Sequence, residues 1–138
     1  MKVLFDTNVI LDVLLDRKPF VNDSALLLSM AERSEIIGYV CATTITTIHY
    51  LIEKALGRNE AYRHIGSLIS LFSIAPVNRV VFERALKSKF KDFENAVLYE
   101  SAALSSVQYI ITRNTSDFKK STIPVFEPKE LISLMKTL

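Results

Sequence analysis

Three polar clusters in this sequence are built from side chains that ligate hard cations. Asp6-Thr7-Asn8 follows the apolar run Val3-Leu4-Phe5, and Asp92-Phe93-Glu94-Asn95 opens a later amphipathic segment. Thr112-Arg113-Asn114-Thr115-Ser116-Asp117 follows Tyr109-Ile110-Ile111. Carboxylate and water oxygens are the ligands that Mg²⁺ and Mn²⁺ prefer, and such ions polarise phosphoryl oxygens. If the clusters meet in space, Asp6, Asp92 and Asp117 become candidate catalytic residues, with Asp6, Asp92, Glu94 and Asp117 as candidate metal ligands. Each acid also has a purely structural use. Asp6 and Asp92 suit helix N-caps, and Asp117 suits an Asx turn.

Other reactive residue types offer less. Asp12 and Asp16 read as solvated positions on the first helix, and Cys41 as a small buried residue at a strand end. His49 and His64 stand alone, with no second His at ligand spacing. There is no Gly-x-Ser-x-Gly elbow and no phosphate-cradling glycine loop.

The clusters need elements that bring them together. Val3–Phe5, 36–41, 73–77, 109–112 and 124–126 read as short strands, the last an edge strand opened by Pro124. Helical periodicity places helices after Asp6 and at about 22–33, capped by Asn22 or Asp23, then at 44–56, 59–72, 79–89 and 94–107. Val80, Val81, Ala85 and Leu86 are expected to face inward, as are Ala96, Val97, Ala103, Leu104 and Val107. Pro128 suits the first position of a closing helix. Strands alternating with helices imply crossover connections and a mainly parallel sheet covered on both faces, with ligands bound beyond the carboxyl ends of the strands.

Composition bounds the rest. The chain has 138 residues, 49% of them apolar, and 17 Lys+Arg against 15 Asp+Glu give a net charge of +2. One domain over 1–138 is expected, with a core large enough to need no staples. Cys41 is the only cysteine, which points to a reducing cytoplasm. The N-terminal apolar run is too short for a signal peptide, and no apolar stretch reaches the roughly 18 residues of a membrane span. Arg79, Arg84, Lys87, Lys89 and Lys91 crowd the approach to Asp92, and Arg113, Lys119 and Lys120 flank Asp117, modest support for RNA binding. Mean hydropathy of +0.24 and Ile- and Leu-rich helices such as 64–72 suggest self-association or partner binding.

Asp6-Thr7-Asn8-Val9-Ile10-Leu11-Asp12 near one end, Ile111-Thr112-Arg113-Asn114-Thr115-Ser116-Asp117-Phe118 near the other, and the Asp92–Ala103 segment between them together resemble the PIN domain family. Size and layout are similar to its prokaryotic stand-alone members, including VapC-like toxins. The resemblance implies a PIN-like three-layer α/β/α sandwich with a mainly parallel central sheet. It also implies a Mg²⁺- or Mn²⁺-dependent ribonuclease, frequently a homodimer with an antitoxin partner. Of the family's four usual acidic positions, Asp6 matches the first and Asp117 the last. Thr47 stands where the second acid is usual and Asn95 where the third is, with Asp92 or Glu94 near enough to replace part of the third charge. Glu53, roughly 240° around the helix from Thr47, faces elsewhere. Asn8, Thr112 and Asn114 would orient ligands and water. Loss of two acids also leaves open a degenerate domain that binds RNA or a protein without cleaving.

Overall fold

The computed structural model describes residues 1–137, so the last position of the expected 1–138 domain lies outside it. Five strands and seven α-helices follow one another as β1 (Lys2–Phe5), α1 (Thr7–Leu14), α2 (Val21–Glu32), β2 (Ile37–Cys41), α3 (Ala42–Leu56), α4 (Arg58–Leu71), β3 (Ser73–Ala75), α5 (Arg79–Lys87), α6 (Phe93–Leu104), β4 (Tyr109–Ile111), β5 (Val125–Phe126) and α7 (Pro128–Met135). A 3₁₀ turn, Thr115–Phe118, lies between β4 and β5. The sheet is wholly parallel in the order β3-β2-β1-β4-β5.

β1 is the central strand, and Val3, Leu4 and Phe5 have no solvent exposure. A strand covered on both faces needs a continuous apolar run, which is why these three residues do not alternate with polar ones. Pleating sends Val3 and Phe5 into one core and Leu4 into the other. The first core is filled by Val9, Ile10, Leu27, Ile48, Ile52, Leu68, Phe72 and Leu131 from α1, α2, α3, α4, α7 and the residue after α4. The second holds Val81, Ala85, Ala96, Val97, Leu98 and Ala102 from α5 and α6. The result is the expected three-layer α/β/α sandwich. Gly38 in β2 is needed for this packing, since a Cβ there would lie 2.7 Å from the Phe72 ring. That ring meets Phe5 edge-on, with centroids 5.0 Å apart.

Local chemistry explains most boundaries. Pro124 lies just before edge strand β5, and its carbonyl accepts from Ile110 N at 3.0 Å. Pro128 opens α7, where the Glu130 side chain accepts from the backbone N of Glu127 at 2.8 Å. Several expectations are corrected. Helix α2 starts at Val21 after Phe20, not from a side-chain cap at Asn22 or Asp23. Helix α3 begins at Ala42 directly from β2, two residues before the expected 44. In α5 only the Val81/Ala85 stripe is buried, because the helix packs chiefly against α6 and does so through a single row one turn apart. Val80 and Leu86 point outward, 47% and 74% exposed. Ala103 and Leu104 are likewise exposed at the end of α6, and Val107 is buried beyond it. No helix among the described residues is long and apolar enough to cross a membrane.

Candidate metal-binding and nuclease site

The carboxyl ends of β1 and β4 are adjacent in the sheet, with Phe5 paired to Ile111. The residues that follow them, Asp6 and Thr112, are therefore forced together. Asp6 N donates to the carbonyl of Ile111 at 2.9 Å. The Asp6 carboxylate accepts from Thr7 N through Oδ1 and from Thr112 Oγ1 through Oδ2, both at 2.8 Å. Asp6 thus caps α1 and also presents a fixed carboxylate at the strand end. Thr112 Oγ1 in turn accepts from Asn114 N at 3.1 Å, which sets the start of the loop carrying Asp117.

A cleft of about 300 Å³ opens over this point, lined by Asp6, Asn8, Thr47, Asp92, Glu94, Asn95, Asn114 and Asp117 together with Thr7, Thr43 and Thr44. Every candidate named from the sequence lines it except Thr112, which is buried beneath Asp6. Glu53 projects elsewhere, toward His49 at 3.6 Å. Asp92 is also the N-cap of α6, accepting from Asn95 N at 3.0 Å. The threonines Thr43, Thr44 and Thr47 form a hydroxyl-rich wall at the start of α3. Thr7 and Thr44 share a hydrogen bond of 2.9 Å, and Thr47 Oγ1 donates to the Thr43 carbonyl at 3.1 Å.

Electrostatically the cleft is poised for a cation. Burial pushes the Asp6 carboxyl above its ordinary value, while the hydrogen bonds from Thr112 and Thr7 pull it down. The neighbouring Asp117 charge raises it further and Arg113 opposes that. Two carboxylates close enough to feel each other, surrounded by hydroxyl and amide oxygens, fit a hard divalent ion. No three His, Cys, Asp or Glu side chains among the described residues gather closely enough to share one ion. Asp92 and Glu94 therefore stand on the cleft wall without joining Asp6 and Asp117 in one cluster. Both are exposed, and the cap bond holds Asp92 against the start of α6.

Asp12 is the residue that sequence reasoning misplaced. It is 0% exposed, with Arg113 Nε 3.0 Å from Oδ2 and Arg17 3.7 Å from Oδ1. The signal was present: Asp12 falls three residues after Val9, on the stripe of α1 that packs inward. The Arg113 guanidinium sits over Phe20, with its central carbon 4.2 Å from the ring centroid.

A parallel α/β sandwich with an acidic, hydroxyl-lined cleft at the carboxyl ends of its central strands defines the class of protein. The sequence model of the family described as "PIN domain" matches residues 2–116. The chain belongs to that family. Ribonuclease VapC1 of Aquifex aeolicus (strain VF5) is 25% identical over 146 residues, which span 99% of this chain and 97% of the relative. A solved toxin–antitoxin complex from Klebsiella pneumoniae contains a chain 25% identical, with a TM-score of 0.68, covering 91% of this chain and 97% of that one. FitAcB from Neisseria gonorrhoeae shares the fold at 20% identity, with a TM-score of 0.69 and coverage of 92% and 98%.

Proposed function

We propose that this chain is a Mg²⁺- or Mn²⁺-dependent endoribonuclease of the PIN type and the toxin of a toxin–antitoxin pair, acting as a cytoplasmic homodimer. The observation that carries the reading is the pairing of Asp6 and Asp117 in one cleft, with the Asp6 carboxylate fixed by Thr112. The full-length similarity to a ribonuclease and to a chain of a toxin–antitoxin complex supports it. So do the exposed Val80, Phe82, Leu86, Phe93 and Leu104 on α5 and α6, an apolar surface suited to self-association. The lone, buried Cys41 suits a reducing compartment.

Asp6 and Asp117 would hold the ion, with Asp92 or Glu94 reaching it through water. When bound, the ion acidifies water and offsets negative charge on phosphoryl oxygens. The chain supplies the positioning. Thr112 fixes Asp6 Oδ2, and the Asn8, Asn95 and Asn114 amides can donate to phosphate oxygens. The Thr47 hydroxyl, spent on the Thr43 carbonyl, can still accept from water.

Cleavage of a labelled single-stranded RNA with Mn²⁺ tests the reading. Asp6→Asn and Asp117→Asn should each lower kcat by about 100-fold or more, equivalent to about 2.7 kcal/mol, and chelator should abolish cleavage. Unchanged cleavage in both variants would sink the assignment. The lack of a three-acid cluster favours one second reading, a domain that binds RNA or a protein without cleaving it. Metal-independent RNA binding with no cleavage at any Mn²⁺ concentration would establish that alternative.

A further inference from the structure

A second cleft, of about 410 Å³, shares Asp92, Asn95 and Asp117 with the acidic one. Its charge is opposite. Lys89 and Lys91 enter it from the α5–α6 connection, and Lys119 and Lys120 from the segment after the 3₁₀ turn. All four lysines are exposed, and none makes an ion pair among the described residues. Unneutralised ammonium groups gathered beside a cleft raise the local concentration of anions.

The two lysine pairs are held in register by an aromatic cluster beneath them. Phe90, between Lys89 and Lys91, stacks on Tyr99 at 5.1 Å and meets Phe118, the neighbour of Lys119, edge-on at 5.9 Å. Tyr99 shares a 2.7 Å hydrogen bond with Thr122 Oγ1, which ties down the chain just past Lys120. Asp117, the residue before Phe118, lines both the acidic and the basic cleft.

We infer that Lys89, Lys91, Lys119 and Lys120 form a binding subsite for the RNA backbone on one side of the scissile phosphate, so that the substrate is held over several consecutive phosphates. Lysine ammonium groups bind phosphates as point charges without reading bases, so this subsite supplies affinity and not sequence choice. Every ring of the aromatic cluster is engaged in its own packing, which leaves backbone charge as the recognised feature.

This rests on the ribonuclease reading but fails separately from it, because binding is measured without metal. Anisotropy of a labelled single-stranded RNA about 12 nucleotides long is followed in chelator across a salt series. Replacing all four lysines by alanine should weaken binding at least tenfold at low salt. It should also reduce the slope of log affinity against log salt by up to about 2.8, at roughly 0.7 per phosphate contact on a single strand. Each pair alone, Lys89→Ala with Lys91→Ala or Lys119→Ala with Lys120→Ala, should give about half that change. The control pair Lys129→Ala with Lys136→Ala should give none. An unchanged slope in the fourfold variant, or no RNA binding by the wild type, would overturn the inference. Equal affinity for a poly-glutamate chain of the same length would overturn it too, making an acidic protein segment the occupant. If Asp6→Asn leaves cleavage intact while the lysine variants lose RNA, the subsite stands and the catalytic assignment falls.

Discussion

Arg113, one residue past the threonine that holds Asp6, reaches back to place its Nε 3.0 Å from the carboxylate of Asp12. The pair joins the loop after β4 to α1, and each carries part of the candidate site at its own end. Asp12 and Arg113 therefore act as a strut: they fix the distance between the element bearing Asp6 and the loop bearing Asp117. Phe20 sits over the guanidinium, and the contacting atoms, Arg113 Nε and the Asp12 carboxylate oxygens, are buried.

Arg113→Ala should therefore be costly. It leaves the fully buried Asp12 with only Arg17 nearby, at 3.7 Å. Breaking a buried pair typically costs about 3–5 kcal/mol, and the 25% exposure of the Arg113 side chain argues for about 3 kcal/mol. Arg113→Lys should recover part of the loss, since it restores charge without the guanidinium that sits over Phe20. Urea unfolding at pH 7 measures both. An Arg113→Ala variant as stable as wild type would show that the pair contributes nothing.

The same pair predicts a pH dependence. Burial raises the Asp12 carboxyl above its ordinary 3.8, and the charges of Arg113 and Arg17 hold part of that rise back. A folded-state pKa above the unfolded one means that the native state binds the proton more tightly. Asp12 then favours folding at low pH, and stability is lost as pH climbs from about 3.8 through the raised value. Asp12→Asn should flatten the stability curve over that window. In Arg113→Ala the Asp12 pKa should rise further, so its deficit should be largest near neutrality and shrink on acidification. Denaturation midpoints between about pH 4 and 8 test the sign, and a wild-type curve that rises through this window while Asp12→Asn stays flat would reverse it.

How much of this was legible in the sequence follows from which forces act locally. The order of elements was readable, because apolar runs such as Val3–Phe5 and Tyr109–Ile111 sit between helical repeats. Three polar clusters far apart in sequence could be assigned to one sheet edge, because parallel strands all end there. The order β3-β2-β1-β4-β5 was not readable, since pairing depends on which helices cover which face. Asp12 was misread because its partners, Arg17 and Arg113, come from a turn and from the far end of the chain. Val80 and Leu86 were misread because apolarity alone cannot distinguish a helix buried on two sides from one that packs against a single neighbouring helix, as α5 does against α6.

The least local expectation concerns Thr47 and Asn95, which line the cleft with Asp6 and Asp117 without adding charge to it. If they occupy the family's second and third acidic positions, Thr47→Glu with Asn95→Asp should assemble four carboxylates around one site. Four such groups repel one another in a partly buried cleft, so the double variant should unfold at lower temperature than wild type in chelator. A divalent ion binding only the native state should reverse this. At a concentration 100 times its Kd it adds about 2.7 kcal/mol, so Mn²⁺ should raise the variant's midpoint by more than it raises that of wild type. Glu53→Gln, altering an acid that faces His49 and not the cleft, should leave the Mn²⁺ response unchanged. Thermal unfolding of the three proteins with and without Mn²⁺ decides the matter. Equal Mn²⁺ shifts in wild type and the double variant would mean that positions 47 and 95 are not the missing ligand positions.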